Sequence, residues 1–330
     1  MKALVYTGIQ ELVWRDEPDP QPRDGDVELV VDAAGICGSD MHAYLGHDAR
    51  RPAPLILGHE ASGRALSGRF KGKRVVFNPL VTCGRCDDCL GGRSNLCRYR
   101  EIVSMAPRQG AFAERVVIPE SNIVELPEDM DPVKAALAEP VATALHAVGV
   151  AERALWRPLG ECSGLVMGGG AIGLSAALLL RSRGCQNITI ADTNPLRRKA
   201  AETGEGFQVI DPVETTVVDD SYNLVIDAVG GQATRRGACQ AIKPGGVIIH
   251  IGLLDSDGGI DVRKLTLQEV SFIGTYTYTM VDFRSTVQAL HAGLLGALDW
   301  VELRSLSEGA RAFKDLNEGR VGAAKIILTR

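Results

Sequence analysis

Two textures of apolar and polar residues divide the chain. Up to Pro140, short β-branched runs at 27–31, 74–77 and 116–118 alternate with Pro, Gly and Asp, and residues 1–10 read as the start of an amphipathic strand. That pattern predicts an irregular, strand-rich domain. Beyond Pro140, residues 141–150 read helical, and next comes a repeating unit of apolar run, glycine-bearing turn and helix. The runs are 164–168 with a helix to Arg183, 188–191 with a helix to Thr203, then 223–228 and 246–251. Such alternation predicts an α/β fold with a doubly wound parallel sheet, which a run at 270–275 could close. The remaining helix (283–294) and strand (325–328) are too little for a domain, so the tail is expected to return to the N-terminal one. The division read from this is 1–148 with 276–330, and 149–275.

At 330 residues the chain exceeds what one hydrophobic core usually supports, which agrees with two domains. Its formal net charge of -5 gives no electrostatic reason to expect nucleic acid or an anionic membrane, and a small-molecule ligand fits better. The apolar stretch 165–180 is short for a membrane span and is interrupted by glycines, so a strand, turn and helix explain it. The N-terminus lacks the basic region and apolar core of a secretory signal, which makes the cytoplasm the expected location. Eight cysteines in such a chain point to metal or catalysis rather than to a disulfide framework.

Their spacing is informative. Cys83, Cys86, Cys89 and Cys97 form C-x2-C-x2-C-x7-C in a loop rich in Gly, Asp and Asn, where four thiolates can close on one tetrahedral ion. A structural zinc site is the first reading, with an iron–sulfur cluster as its rival. A second, mixed set comprises Cys37, His59, Glu60 and Glu139. Thiolate, imidazole and carboxylate together suit a catalytic zinc that keeps one position open.

Leu165-Val166-Met167 leads into Gly168-Gly169-Gly170-Ala171-Ile172-Gly173, a G-x-G-x-x-G string that follows a strand and opens a helix. Gly168 permits the turn, Gly170 lets a pyrophosphate approach the backbone, and Gly173 allows close packing of helix on sheet. Asp192, ending the next strand, would bond the adenosine ribose hydroxyls and repel a 2′-phosphate, which favours NAD over NADP. Cys162, Cys185 and Cys239 read as buried small hydrophobes, and Arg50 with Arg51 as a solvated basic turn.

The strings GICGSDMH, LGHEASG, the four-cysteine loop and LAEPVATALHA, followed by the glycine fingerprint, resemble the zinc-containing medium-chain dehydrogenases, especially the sorbitol (polyol) and threonine dehydrogenase branch. The resemblance implies a GroES-like catalytic domain around a Rossmann domain, with two Zn2+ per chain. It makes Cys37 and His59 metal ligands and Glu60 a ligand or one exchanging with water. Glu139 would ligate the metal or bond its water and the substrate hydroxyl. Asp40 would orient the imidazole, Ser39 accept the alcohol proton, and His42 pass it outward. Arg197 would lie beside the adenine ribose, and Ile251, Gly252, Leu253, Thr275 and Tyr276 would flank the nicotinamide.

The activity that the resemblance implies is reversible, NAD-linked oxidation of a secondary alcohol or polyol by a homodimer or homotetramer, with an amino-alcohol or a simple alcohol as the alternative substrate. There are two departures from polyol enzymes: Tyr276-Thr277-Tyr278 replaces Phe-Arg-Tyr, and Ala43 replaces Tyr. Rival readings are a zinc-free, NADPH-using quinone-reductase-like relative, a zinc-ribbon binding module, and a dinucleotide- and zinc-binding protein without turnover.

Overall fold

A computed structural model describes residues 1–202, 206–215 and 217–330. It contains two compact units, one of Met1–Pro140 with Thr279–Arg320 and Lys325–Arg330, the other of Val141–Tyr278 with Val321–Ala324. No helix among the described residues is long and apolar enough to cross a membrane.

The first unit is strand-rich, and its centre is the ten-residue strand Asp26–Gly35, which buries Val27, Leu29, Val31 and Ala33 in alternation and then Ala34 and Gly35 as well. Glu60–Ala65 pairs antiparallel along one edge, and Lys325–Thr329 pairs antiparallel with its C-terminal end. Gly35 therefore lies between Glu60 on one side and Ile327 on the other. Three distant stretches of chain meet at this one glycine. Lys325–Thr329 in turn pairs in parallel with Val301–Ser305, which ties the C-terminal segment into the sheet.

The second unit holds six parallel strands in the order Gln208–Ile210, Asn187–Ala191, Ser163–Met167, Tyr222–Asp227, Ile242–His250 and Ser271–Gly274. This is the doubly wound order 3-2-1-4-5-6, and it reverses direction between Ser163–Met167 and Tyr222–Asp227. Leu165, Val225, Ile248 and their neighbours form its core. The short edge strand Gln208–Ile210 and the amphipathic helices Gln232–Ala241 and Gly309–Asn317 are not among the elements expected from the sequence. The helix expected to run to Thr203 is described over Pro195–Glu202, and Thr203 lies outside the described residues.

Glycines fix the strand-end geometry. Gly168 has φ of 98°, in the left-handed region, and a Cβ on Gly173 would stand 1.8 Å from the Gly168 carbonyl oxygen. No side chain fits there. Gly230 and Gly252 touch backbone to backbone in the same manner, a Cβ on either lying 2.0 Å from the other segment. A Cβ on Gly170, by contrast, would meet nothing within 4 Å. Gly173→Ala is thus expected to destabilise the second unit by about 1–3 kcal/mol through overpacking, while Gly170→Ala leaves folding unchanged; equal midpoints for the two variants in denaturant unfolding would contradict this account.

Candidate metal and dinucleotide sites

Cys37 is the N-cap of the helix Gly38–Tyr44, and the carboxylate three residues on, Asp40, accepts the Cys37 backbone N–H at 3.0 Å. The same fully buried carboxylate accepts Gly58 N–H at 3.3 Å and faces Nδ1 of His59 at 3.4 Å. One side chain thus spans the loop of Cys37 and the loop of His59. The Cys37 sulfur, a His59 ring nitrogen and a Glu60 carboxylate oxygen all lie within 4.8 Å of one another. With Nδ1 turned to Asp40, Nε2 is the nitrogen left for a metal. Burial works against a charged imidazole, but the Asp40 carboxylate and its hydrogen bond, with the Cys37 sulfur, outweigh it and hold His59 well above the ordinary histidine range. Asp40 itself stays below the usual carboxylate range, burial notwithstanding, because of His59.

Glu60 is also gripped from behind. Its carboxylate folds over Gly35, where a Cβ would come within 2.2 Å of Oε2, and meets Lys325 Nζ at 2.6 and 2.8 Å. Lys325 donates besides to the Ile36 carbonyl at 3.0 Å and is 5% exposed. Burial pulls its ammonium down, yet Glu60 and Cys37 reverse this and raise its pKa. Glu139, expected as an alternative ligand, is buried in the first turn of the helix Ala138–Ala154. Its charge reaches Lys325, but it stands outside the three-residue cluster.

Ser39 and His42 lie on the helix that Cys37 caps, both half-buried. Burial first, then the charge of His47, lowers the His42 pKa against the opposing pull of Asp48. The reading of Arg51 as part of a solvated turn is overturned: only Arg50 is exposed, whereas Arg51 is buried at 3% exposure among Ser39, Asp48 and Ser104. Ser104, which no motif singles out, is fully buried with its hydroxyl 3.5 Å from His59 Nδ1.

The sulfurs of Cys83, Cys86, Cys89 and Cys97 likewise converge within 4.8 Å, with Cys86–Cys89 at 3.5 Å and Cys83–Cys89 at 4.0 Å. Zinc–sulfur bonds of about 2.3 Å in a tetrahedron place sulfurs roughly 3.8 Å apart, so the cage has the right size. Backbone N–H donors, that of Arg85 foremost, draw the Cys83 thiol down to about 6, while burial and the neighbouring sulfurs push Cys89 up to about 12. Four thiolates this close need a cation to ionise together.

In the second unit, Gly170 caps the helix Ala171–Ser182, which begins with Ala171 and Ile172, at the switch point of the sheet. Asp192 accepts Gly169 N–H at 2.7 Å through Oδ2 and Asn194 N–H at 2.7 Å through Oδ1. Arg197 stands 3.9 Å from that carboxylate, and Arg198 pairs with Asp211 at 2.8 Å. Across the switch point, Asp227 is fully buried and organises the next turn by accepting the N–H groups of Val229 and Gly230 and the Thr234 hydroxyl. In the sequence it reads as mere strand. Ile251, Gly252 and Leu253 follow the strand Ile242–His250, and Thr275 and Tyr276 follow Ser271–Gly274. The hydroxyls of Thr275 and Thr277 are buried without a hydrogen-bond partner, and Thr277 has φ of 46°. Unpaired hydroxyls at these strand ends fit a ligand that brings polar groups to them.

Residues 23–128 match the alcohol dehydrogenase GroES-like domain and residues 171–292 the zinc-binding dehydrogenase domain. The L-galactonate-5-dehydrogenase of Escherichia coli K12 is 31% identical, over 90% of this chain and 89% of its own length. The L-threonine 3-dehydrogenase of Rhizobium etli is 29% identical over 97% of both chains. A zinc-binding dehydrogenase of Sinorhizobium meliloti, solved with NADP bound, superposes with a TM-score of 0.89 at 26% identity, covering 100% of this chain and 99% of the other.

A ligating imidazole must be neutral, so an ion entering between Cys37 and His59 has to displace the His59 proton. In the metal-free protein the His59–Asp40 pairing stabilises the fold in full below about pH 6.5, and that contribution is lost as pH rises through the higher folded pKa. Zinc added at pH 7.5 to chelator-stripped protein should therefore release protons, and Asp40→Asn should release about one fewer per chain. Calorimetry in buffers of different ionisation enthalpy measures this; equal release from both proteins would refute the pairing.

Proposed function

This chain belongs to the zinc-binding dehydrogenase family, and from that premise we propose that it oxidises a secondary alcohol or polyol to the ketone, reversibly, with NAD as hydride acceptor. The observation that carries the reading is the convergence of Cys37, His59 and Glu60 around one point, with Asp40 fixing the imidazole from behind. In this reading the first unit is the GroES-like catalytic domain, and the second is the Rossmann domain that holds the dinucleotide.

Cys37 and His59 would hold a catalytic zinc, with Glu60 beside it, and Cys83, Cys86, Cys89 and Cys97 a structural one. When bound, the catalytic zinc supplies Lewis acidity toward the substrate oxygen. The chain's own residues do the rest. Asp40 keeps the proton of His59 on Nδ1 and so presents a basic Nε2. Lys325 offsets the charge of Glu60, which leaves that carboxylate near the site without adding a full negative charge to the thiolate beside it. Ser39 takes the alcohol proton, and His42, whose lowered pKa keeps it neutral at pH 7 and able to accept, passes it outward. Glu139 orients the substrate hydroxyl. Hydride transfer belongs to the cofactor, and the protein's part is to position it. Gly168 and Gly173 shape the turn and seat its helix, Gly170 with Ala171 and Ile172 meets the pyrophosphate, Asp192 and Arg197 meet the adenosine ribose, and the segments 251–253 and 275–276 flank the nicotinamide.

Substrate class draws support from the relatives, one named for a sugar acid and one for an amino acid bearing a hydroxyl. Thr277 lacks the long cation that polyol enzymes carry there, which within this class favours a simple secondary alcohol over a polyol. The cytoplasm and a homodimer or homotetramer complete the proposal, and light scattering counts the subunits.

Metal analysis should find two zinc per chain. Cys37→Ala should lose one of them and lower kcat by about a hundredfold or more, the scale of Lewis-acid stabilisation; full turnover in that variant would end the proposal. With a panel of secondary alcohols, sugar acids and amino alcohols, kcat/KM for NAD should exceed that for NADP by about a hundredfold, because a 2′-phosphate would meet the Asp192 carboxylate.

A further inference from the structure

One buried charge, that of Arg51, stands beside the candidate metal ligands without belonging to their cluster. Arg51 donates from Nε to the Ser104 carbonyl at 3.0 Å and from Nη1 to the Ser39 carbonyl at 2.7 Å, while Nη2 reaches the Ser39 hydroxyl at 3.5 Å. Asp48, itself only 8% exposed, supplies the counter-charge at 3.4 Å. A guanidinium is the one side chain whose donors are fixed in a plane and can fork to two separate carbonyls at once.

Both carbonyls belong to serines that touch the site. Ser39 is two residues from Cys37. Ser104 carries its hydroxyl to within 3.5 Å of His59 Nδ1, the nitrogen that Asp40 also faces. Ser104 adopts φ of 70°, a left-handed conformation that costs energy for a residue bearing a Cβ. It needs an outside hold, and the bond from Arg51 to its carbonyl provides one. A plain loop staple would have no reason to end on these two residues.

We propose that Arg51 is a positioning residue of the catalytic site, tying the Ser39 loop to the strained Ser104 so that the Ser104 hydroxyl sets the ring of His59. This rests on the assignment of Cys37 and His59 as metal ligands. Lysine at 51 can keep the charge and one carbonyl but cannot bridge two. Glycine at 104 can keep the left-handed backbone and the carbonyl but loses the hydroxyl.

The test uses the full chain with cobalt in place of zinc, whose visible absorption reports ligand geometry. Cys37→Ser serves to subtract the four-cysteine signal. Arg51→Lys should retain two metals and a melting temperature within about 3 °C of the parent, a shift below that of 2 kcal/mol in a chain this long. It should still lose about ten- to hundredfold in kcat with little change in KM for NAD, as misplacement of a catalytic group does. Its cobalt band should shift, Ser104→Gly should reproduce the shift, and the double variant should shift no further than Arg51→Lys alone. Parent-like kcat and band in Arg51→Lys, or independent, additive shifts in the double variant, would overturn the proposal. Should Arg51→Lys fail to fold, Ser104→Gly decides alone: an unshifted band refutes and a shifted one supports. A parent protein with no cobalt signal beyond the four-cysteine site would sink the ligand assignment itself, and a normal signal indifferent to both variants would sink only the role of Arg51.

Discussion

The candidate metal site of the first unit hangs on one carboxylate. Asp40 takes a hydrogen bond from the backbone of Cys37, another from Gly58, and faces the ring of His59. A thiolate and an imidazole twenty-two positions apart in sequence are thereby fixed relative to each other by a group that need never touch the metal. The carboxylate can do this because it is fully buried and stays ionised, its desolvation offset by two N–H donors and an imidazolium. Taking it away would leave a helix without its cap, a loop without its anchor and a ring free to turn.

A second constraint works from the far end of the chain. The pair of Glu60 with Lys325 joins residues 265 positions apart, and it is the strand Lys325–Thr329 in the central sheet that delivers the lysine. Buried pairs of this sort seldom add net stability, because desolvation consumes most of the attraction. The pair instead determines where a carboxylate beside Cys37 and His59 can point. Gly35 takes part by absence, since any side chain there would occupy the space of Glu60 Oε2. The C-terminal strand is therefore part of the site, and the returning tail has a chemical as well as a structural reason.

Much of this is legible in the sequence, for identifiable reasons. The four-cysteine loop, the glycine turn at 168–173 and the parallel strands announce themselves through local spacing, because their chemistry is carried by residues close together in the chain. Asp40 is legible for the same reason, being three residues from Cys37. Lys325, Arg51 and Ser104 are not. Each acts across a long loop, and nothing in its own neighbourhood separates a buried arginine from a solvated one or a strained serine from a turn. Asp227 falls between: it ends a strand, as Asp192 does, but no pattern reveals that its carboxylate collects three donors from the turn beyond it.

The contrast between those two aspartates bears on the choice of cofactor. Asp227 is fully buried and committed to its own turn, so it builds the floor of the switch point. Asp192 spends one acceptor site of each oxygen on Gly169 and Asn194, and a carboxylate has about four such sites; roughly two remain for ribose hydroxyls. The basic residues nearby do not undo this. Arg198 is directed away, its guanidinium held by the carbonyls of Asp192 and Thr193 and by Asp211. Arg197 at 3.9 Å attends the carboxylate itself. A pocket for a 2′-phosphate needs cations aimed at an anion with no carboxylate in the way, whereas here the carboxylate holds the turn together and the cations answer to it. Removing Asp192 to admit a phosphate would also unfasten Gly169 from the strand end, so in this chain the proposed preference for NAD and the shape of the glycine turn depend on the same atoms.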